Sequence, residues 1–244
     1  MTYFCPVAPS HEPEWALLGS EDGPVFVQAA WTLPIPRMVG NRLLIIDNQH
    51  PISATGGETV SSTPRSKVEH LFEVASHYQN IEIVIPDELE DCRNTLHALS
   101  DVLHWSRSWN YTGRFMFVPQ GKNVAEWLAC LGCAIHEYGH LFHTIGVPMH
   151  LERYIPRHKL IHHIPVRYAI HMLGVWNNID ELSANLRVRS WDTSLPISAA
   201  QARIHLPLAP GDPKPHLTQV VVPAALALTN ICLCRRRLGD DNVY

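Results

Sequence analysis

The sequence predicts an α/β fold, a single closed (β/α)8 barrel occupying residues 1–244 as one domain. Three observations lead there. Short runs rich in Val, Ile, Phe and Leu recur without strict polar alternation, as expected of strands buried on both faces of a parallel sheet. Longer segments between them carry a 3.6-residue apolar stripe. The two alternate along the chain, and right-handed crossovers then select a parallel sheet.

Tyr3 to Ala8 is a candidate first strand, followed by Val25 to Ala30 and Leu43 to Asp47. Ser66 to Tyr78 reads as a helix, because Val68, Leu71, Phe72 and Ala75 share a face and Pro64 sits just before its start. Ile81 to Pro86 is the next strand, and Cys92 to Trp105 repeats the helical stripe with Leu96, Leu99, Val102 and Leu103. The strand Arg114 to Pro119 precedes a helix over Val124 to Tyr138, striped by Trp127, Leu128, Leu131 and Ile135. Leu141 to Gly146, Ala169 to Gly174 and Val188 to Asp192 complete the strands. Asn178 to Leu186 is a shorter helix capped by Asn177 or Asn178. Pro207 to Pro215 reads as a surface turn and Val220 to Leu233 as a closing helix. Seven strands plus the candidate at Tyr3 favour a closed barrel over an open sheet.

Composition narrows the class. The 244 residues carry a formal charge of −4, with 46% hydrophobic and 17% charged residues. A disordered chain needs low hydrophobicity and high net charge, so that class is excluded, as is a polycationic nucleic-acid coat. No apolar run reaches the ~18 residues that span a bilayer. Met1-Thr2-Tyr3-Phe4-Cys5 shows no basic region ahead of an apolar stretch. The six cysteines are therefore expected as reduced thiols in a cytoplasmic protein. Cys130-Leu131-Gly132-Cys133 has C-x-x-C spacing but lies inside an amphipathic helix, where buried thiols serve as small apolar side chains. Thr55-Gly56-Gly57-Glu58-Thr59 lacks the Lys-Ser/Thr of a phosphate loop and reads as a loop bordering the site.

The strand ends carry the functional signal. In a parallel barrel all strand C-termini open on one face, where the βα loops build the site. Asp47-Asn48, Pro86-Asp87, Pro119-Gln120-Gly121, Ile145-Gly146 and Trp191-Asp192-Thr193 all end strands. Asp and Asn at such places also cap the following helix, and for any single Asp that reading is the simpler one. Three Asp and one Gln at four strand ends exceed what capping requires.

The ordered series Ile45-Ile46-Asp47-Asn48, Ile85-Pro86-Asp87, Val118-Pro119-Gln120-Gly121, Thr144-Ile145-Gly146, Met172-Leu173-Gly174-Val175 and Asp192-Thr193-Ser194-Leu195-Pro196 resembles the tRNA-guanine transglycosylase superfamily. It is most similar to the shorter phage and bacterial branch that places 7-deazaguanine bases into DNA, over roughly residues 43 to 197. The resemblance implies a TIM barrel and a cofactor-free exchange of a purine base without backbone cleavage. Asp192 would be the nucleophile and Asp47 the general acid/base. Asp87 would bind the guanine edge, and Gln120 with Gly121 the base carbonyl. Gly146 would offer its backbone, while Leu173, beside Gly174, stands where a Met usually packs on the purine. Asn48 and Gly174 would complete the substrate site. The partners implied are DNA, or alternatively tRNA, and a free 7-deazaguanine base.

The sequence departs from the family after Asn48, where Gln49-His50-Pro51 replaces an expected Gly. The Cys-x-Cys-x-x-Cys of the tRNA enzymes' zinc subdomain is reduced to Cys232-Leu233-Cys234, so no structural zinc is expected and DNA is favoured over tRNA. The chemistry has its own logic: a carboxylate that traps an oxocarbenium-like centre and a second that handles the proton form the two-carboxylate solution of retaining glycosidases. Arg153, Arg157, Lys159 and Arg167 form a candidate phosphate surface, with a solvated helix face as the plainer alternative.

Two rival readings remain at this level. His136-Glu137-Tyr138-Gly139-His140 matches the zinc-metalloprotease pattern, in which both His would share a helix face, with His143 or Glu181 as third ligand. In the barrel, however, that helix ends near Gly139 and the two His separate. The other is a nucleic-acid-binding barrel without catalysis.

Overall fold

Eight four- to six-residue runs pair edge to edge in one parallel sheet: β1 (Tyr3–Pro6), β2 (Val25–Gln28), β3 (Leu44–Asp47), β4 (Ile81–Val84), β5 (Arg114–Phe117), β6 (Thr144–Val147), β7 (Ala169–Leu173) and β8 (Val188–Thr193). The computed structural model describes residues 3–7, 13–18, 22–28, 41–47, 65–174, 187–193, 195–204, 206 and 222–237. Strand order is β1-β8-β7-β6-β5-β4-β3-β2, every ladder parallel. The end strands β1 and β2 lie against each other, and a 3-10 helix, Pro13–Leu18, packs on both. Cys5 Sγ donates to the Pro24 carbonyl at 3.2 Å across this seam. The result is a nearly closed (β/α)8 TIM barrel, as the sequence predicts.

The helices follow from apolar stripes and local caps: α1 (Arg65–Ser76), α2 (Cys92–Ser108), α3 (Val124–Tyr138), α4 (Leu195–Gln201) and α5 (Ala224–Arg237). Asp91 caps α2 by accepting the Asn94 N–H at 2.9 Å, and Asn123 caps α3 by accepting the Glu126 N–H at 3.0 Å. Such caps are worth about 1 kcal/mol each. Two 3-10 helices, Met149–Arg153 and Arg157–His163, fill the β6–β7 connection. Asn230 pins α5 beneath α4 by donating to the Ile204 carbonyl and accepting the Leu206 N–H. The expected helix at Asn178 to Leu186, the Thr55–Thr59 loop and the Pro207 to Pro215 turn lie outside the described residues. Among those described, no helix is long and apolar enough to cross a membrane.

Alternation along the strands divides the apolar side chains into two cores. Val27, Ile46, Ile83, Phe117, Ile145, Ile170 and Trp191 face the helices. Cys5, Val7, Phe26, Ile45, Val84, Met116 and Val118 fill the barrel, with Leu173 against them. One irregularity shapes that interior. The β7–β8 register shifts between Ile170 and His171, leaving Arg189 as an extra residue of β8. Such a bulge lets consecutive side chains project to the same side. Arg189 reaches across the barrel to Glu82, while its neighbour Ser190 bonds His171.

Candidate active site

Because every strand runs the same way, Asp47, Asp87, Gln120, Gly146, Leu173 and Asp192 all lie at one mouth. Asp192 is the most tightly built of them. Leu173 and Asp192 are register partners, and the chain turns at Gly174 with φ +67°, a left-handed conformation that favours glycine. That turn aims the Gly174 N–H at Asp192 Oδ1, 3.1 Å away. His171 Nε2 lies 3.0 Å from the same oxygen. Among the described residues nothing bonds Oδ2, and the Asp192 side chain is 10% exposed. One oxygen is anchored and the other has no hydrogen-bond partner among the described residues.

The support extends outward through Arg157. Its guanidinium donates to the carbonyls of Val147 (3.1 Å), Leu173 (2.6 Å) and Gly174 (2.7 Å), and lies over the Trp191 ring at 5.2 Å. These are the ends of β6 and β7, so Arg157 ties together the backbone that holds Asp192. Opposite Asp192 in register stands Cys5. Burial and, secondarily, the Asp192 charge push its thiol up to about 12, so it remains protonated.

The candidate base-reading residues occupy the neighbouring strand ends. Gln120 is buried and donates through Nε2 to Asp87 Oδ2, while its Oε1 accepts the Glu90 N–H at 3.3 Å. Asp87, half-buried, is the more accessible of the two. Gly121 is demanded by packing, since a Cβ there would stand 2.5 Å from the Trp127 nitrogen in the first turn of α3. Gly146 and Leu173 are brought together: a Cβ on Gly146 would meet Leu173 Cδ1 at 2.6 Å and Val118 Cγ2 at 2.8 Å. Asp47 ends β3 opposite Gln28. Asn48 lies outside the described residues.

The expected phosphate surface needs correction. Arg157 is 1% exposed and is spent on backbone carbonyls, so it is not available to phosphates. Arg167 precedes β7, at the barrel end opposite Asp192, with its guanidinium 4.8 Å over the Tyr168 ring. Arg153 is exposed but paired with Glu90. Lys159 is exposed. The four cations therefore do not make one surface.

The His136–His140 motif straddles the end of α3. His136 is in the last turn of α3, Gly139 caps the helix, and His140 falls in the turn beyond. His140 and His143 instead border a cavity of about 540 Å³ at the N-terminal end of the barrel, with Arg107 and Tyr111. Among the described residues no three His, Cys, Asp or Glu gather in a metal-binding group. Glu181 is outside them.

Sequence reasoning missed His171 and Ser190. The available signal was a histidine inside an apolar strand two residues before its end, where a buried imidazole needs partners. No family model matches the chain, and no curated protein does.

Proposed function

We propose that this protein is a base-exchange enzyme that replaces guanine in DNA by a 7-deazaguanine derivative through a covalent aspartyl-glycosyl intermediate on Asp192. One observation carries the reading: a carboxylate at the mouth of a parallel barrel, anchored through one oxygen and open at the other. That is the arrangement a glycosyl-accepting nucleophile needs. The ordered strand-end motifs resembling the transglycosylase superfamily supply the substrate class.

Roles follow from position. Asp192 attacks C1′ as the base leaves, and Asp47, at the end of β3, serves proton transfer to and from the base. Asp87, held by Gln120, accepts from the donor-rich edge of guanine; a base lacking those donors forfeits these hydrogen bonds and binds less well. Leu173 over Gly146 provides an apolar shelf for the ring. A base within a duplex must first be extruded, at a cost of a few kcal/mol.

Labelled 7-deazaguanine base, offered with DNA and with tRNA, tests the reading. Label should enter DNA, and Asp192→Ala and Asp192→Asn should each lose it by at least about 10³-fold while the protein stays folded. Label entering tRNA alone would replace the substrate class. Full activity in either variant would end the proposal.

A further inference from the structure

We propose that His171 and the Gly174 N–H act together as an anchor on Oδ1 of Asp192, making Oδ2 the ester-forming oxygen and the ester easy to break. This rests on the base-exchange reading and adds a positioning residue to it.

The geometry is over-determined. His171 is fully buried, and its ring lies parallel to Phe26, with 1° between planes and 5.7 Å between centroids. Nδ1 is 2.7 Å from Ser190 Oγ and Nε2 is 3.0 Å from Asp192 Oδ1. A carboxylate only accepts, so the hydrogen sits on Nε2. The anchor assigns Nδ1 as the acceptor of the Ser190 hydroxyl, which fixes the tautomer. On the far side of Ser190 stands the Arg189 guanidinium, with Nε 3.4 Å from Ser190 Oγ. That oxygen accepts from Nε, which leaves its own hydrogen for Nδ1. Ser190 is fully buried, so its hydroxyl orients the ring instead of attacking substrate.

The chemistry uses both donors. In the first half-reaction the Oδ2–C1′ bond forms as the C1′–N bond breaks, its electron pair leaving on the base nitrogen, which gains a proton. Oδ1 becomes the ester carbonyl and keeps its two N–H donors. In the second, the incoming base nitrogen attacks C1′ and loses its proton, while the Oδ2–C1′ pair returns to the carboxylate. The returning charge meets donors already in place, so nothing must reorganise to receive it. Hydrogen bonds that favour the carboxylate weaken it as a nucleophile and improve it as a leaving group. Losing one therefore slows ester breakdown more than ester formation.

The test uses the full chain, a DNA oligonucleotide and free 7-deazaguanine base. His171→Leu should lower turnover by about 10- to 100-fold, the range for one charge-assisted hydrogen bond, with KM for the base nearly unchanged. The steady-state fraction of protein covalently bound to DNA should rise. His171→Gln, whose amide N–H can replace Nε2–H, should recover turnover and lower the adduct. Unchanged turnover in His171→Leu, a fall in adduct, or folded His171→Gln no better than folded His171→Leu would each overturn the anchor. The ¹⁵N spectrum of His171 reads the anchor without any activity: a protonated Nε2 and bare Nδ1 support it, and the opposite tautomer overturns it. If the wild-type protein neither exchanges base nor forms adduct, the base-exchange reading fails on its own, and the spectrum still decides the anchor geometry.

Discussion

At the N-terminal end of the barrel, Arg189 donates to Glu82 at 2.6 Å and to Thr144 at 3.0 Å. Three residues further along the same strand, at the other end, Asp192 accepts two hydrogen bonds on one oxygen. Glu82 and Thr144 are fully buried, and each charge there meets its opposite. Among the described residues Asp192 meets no Lys or Arg in direct contact; the N–H donors of His171 and Gly174 hold it. The first cluster is closed, with its donors and acceptors spent on one another. The second is left one acceptor open toward the mouth. Buried polar groups hold a structure together when satisfied, and a partly exposed one at a mouth is open to water or a ligand. The same strand thus carries a closed cluster around its bulged Arg189 and, further on, a carboxylate with one oxygen open.

That contrast can be broken most forcefully at the closed end. Arg189→Met leaves Glu82 fully buried without its cation and should cost about 3–5 kcal/mol, read by urea unfolding. Adding Glu82→Leu to the same chain should restore most of the loss, since an apolar pair of similar volume often matches a buried ion pair. Asp192→Asn, by contrast, keeps an acceptor for both N–H donors and should move stability by less than about 1 kcal/mol. A stable Arg189→Met protein would mean that Glu82 is neutral or hydrated, and the two ends would not differ as described.

A smaller effect is expected across the mouth at Asp87, which the proposed function shares between structure and substrate. Asp87→Asn keeps an oxygen for the Gln120 amide, so the loop should persist, but it removes the charge that the proposed function sets against guanine donors. Discrimination between guanine and adenine in kcat/KM should fall by about 10-fold, the effect of one good polar contact. An unchanged preference would assign Asp87 to the Gln120 scaffold alone.

How much of this could be read from the sequence differs between backbone and side chains. The eight strands and the helices α1, α2, α3 and α5 were legible because apolar periodicity is local, and α3 spans Val124–Tyr138 as its stripe and Asn123 cap require. The common mouth was legible too, since parallel order places every strand end on one face. The Asp192 anchor was not. His171 and Ser190 are joined across a ladder whose register depends on the bulge at Arg189, and register is a tertiary property. Arg157 shows the opposite failure. A run of cations in sequence suggests a basic surface, but a single Arg turned inward onto three carbonyls removes its charge from that surface. Glu82 carried a readable warning, because a carboxylate between Ile81 and Ile83 in a buried strand must have a partner; its identity was not readable.

The finest distinction between the two ends is sensitivity to acid. His150, in the 3-10 helix Met149–Arg153 beyond β6, sets Nε2 3.4 Å from the Gly121 carbonyl and so ties that helix to the Gln120 loop. Burial holds its pKa below the ordinary value of 6.5; the nearby Arg153 and Arg157 charges act the same way, while the Gly121 carbonyl and Glu90 oppose. The unfolded chain therefore binds the proton more readily. Above about pH 6.5 both states leave this His neutral and it adds no slope; as pH falls below that value, protonation favours unfolding. His150→Gln, which keeps a donor for Gly121, should flatten the loss of stability between about pH 6.5 and 5 by at most about 1.4 kcal/mol per pH unit. Hydrogen exchange should place the acid-induced opening in the Gly121 and Met149–Arg153 segments. Identical acid slopes in variant and wild type would remove His150 from this role and leave the mouth no more acid-sensitive than the closed cluster at the other end.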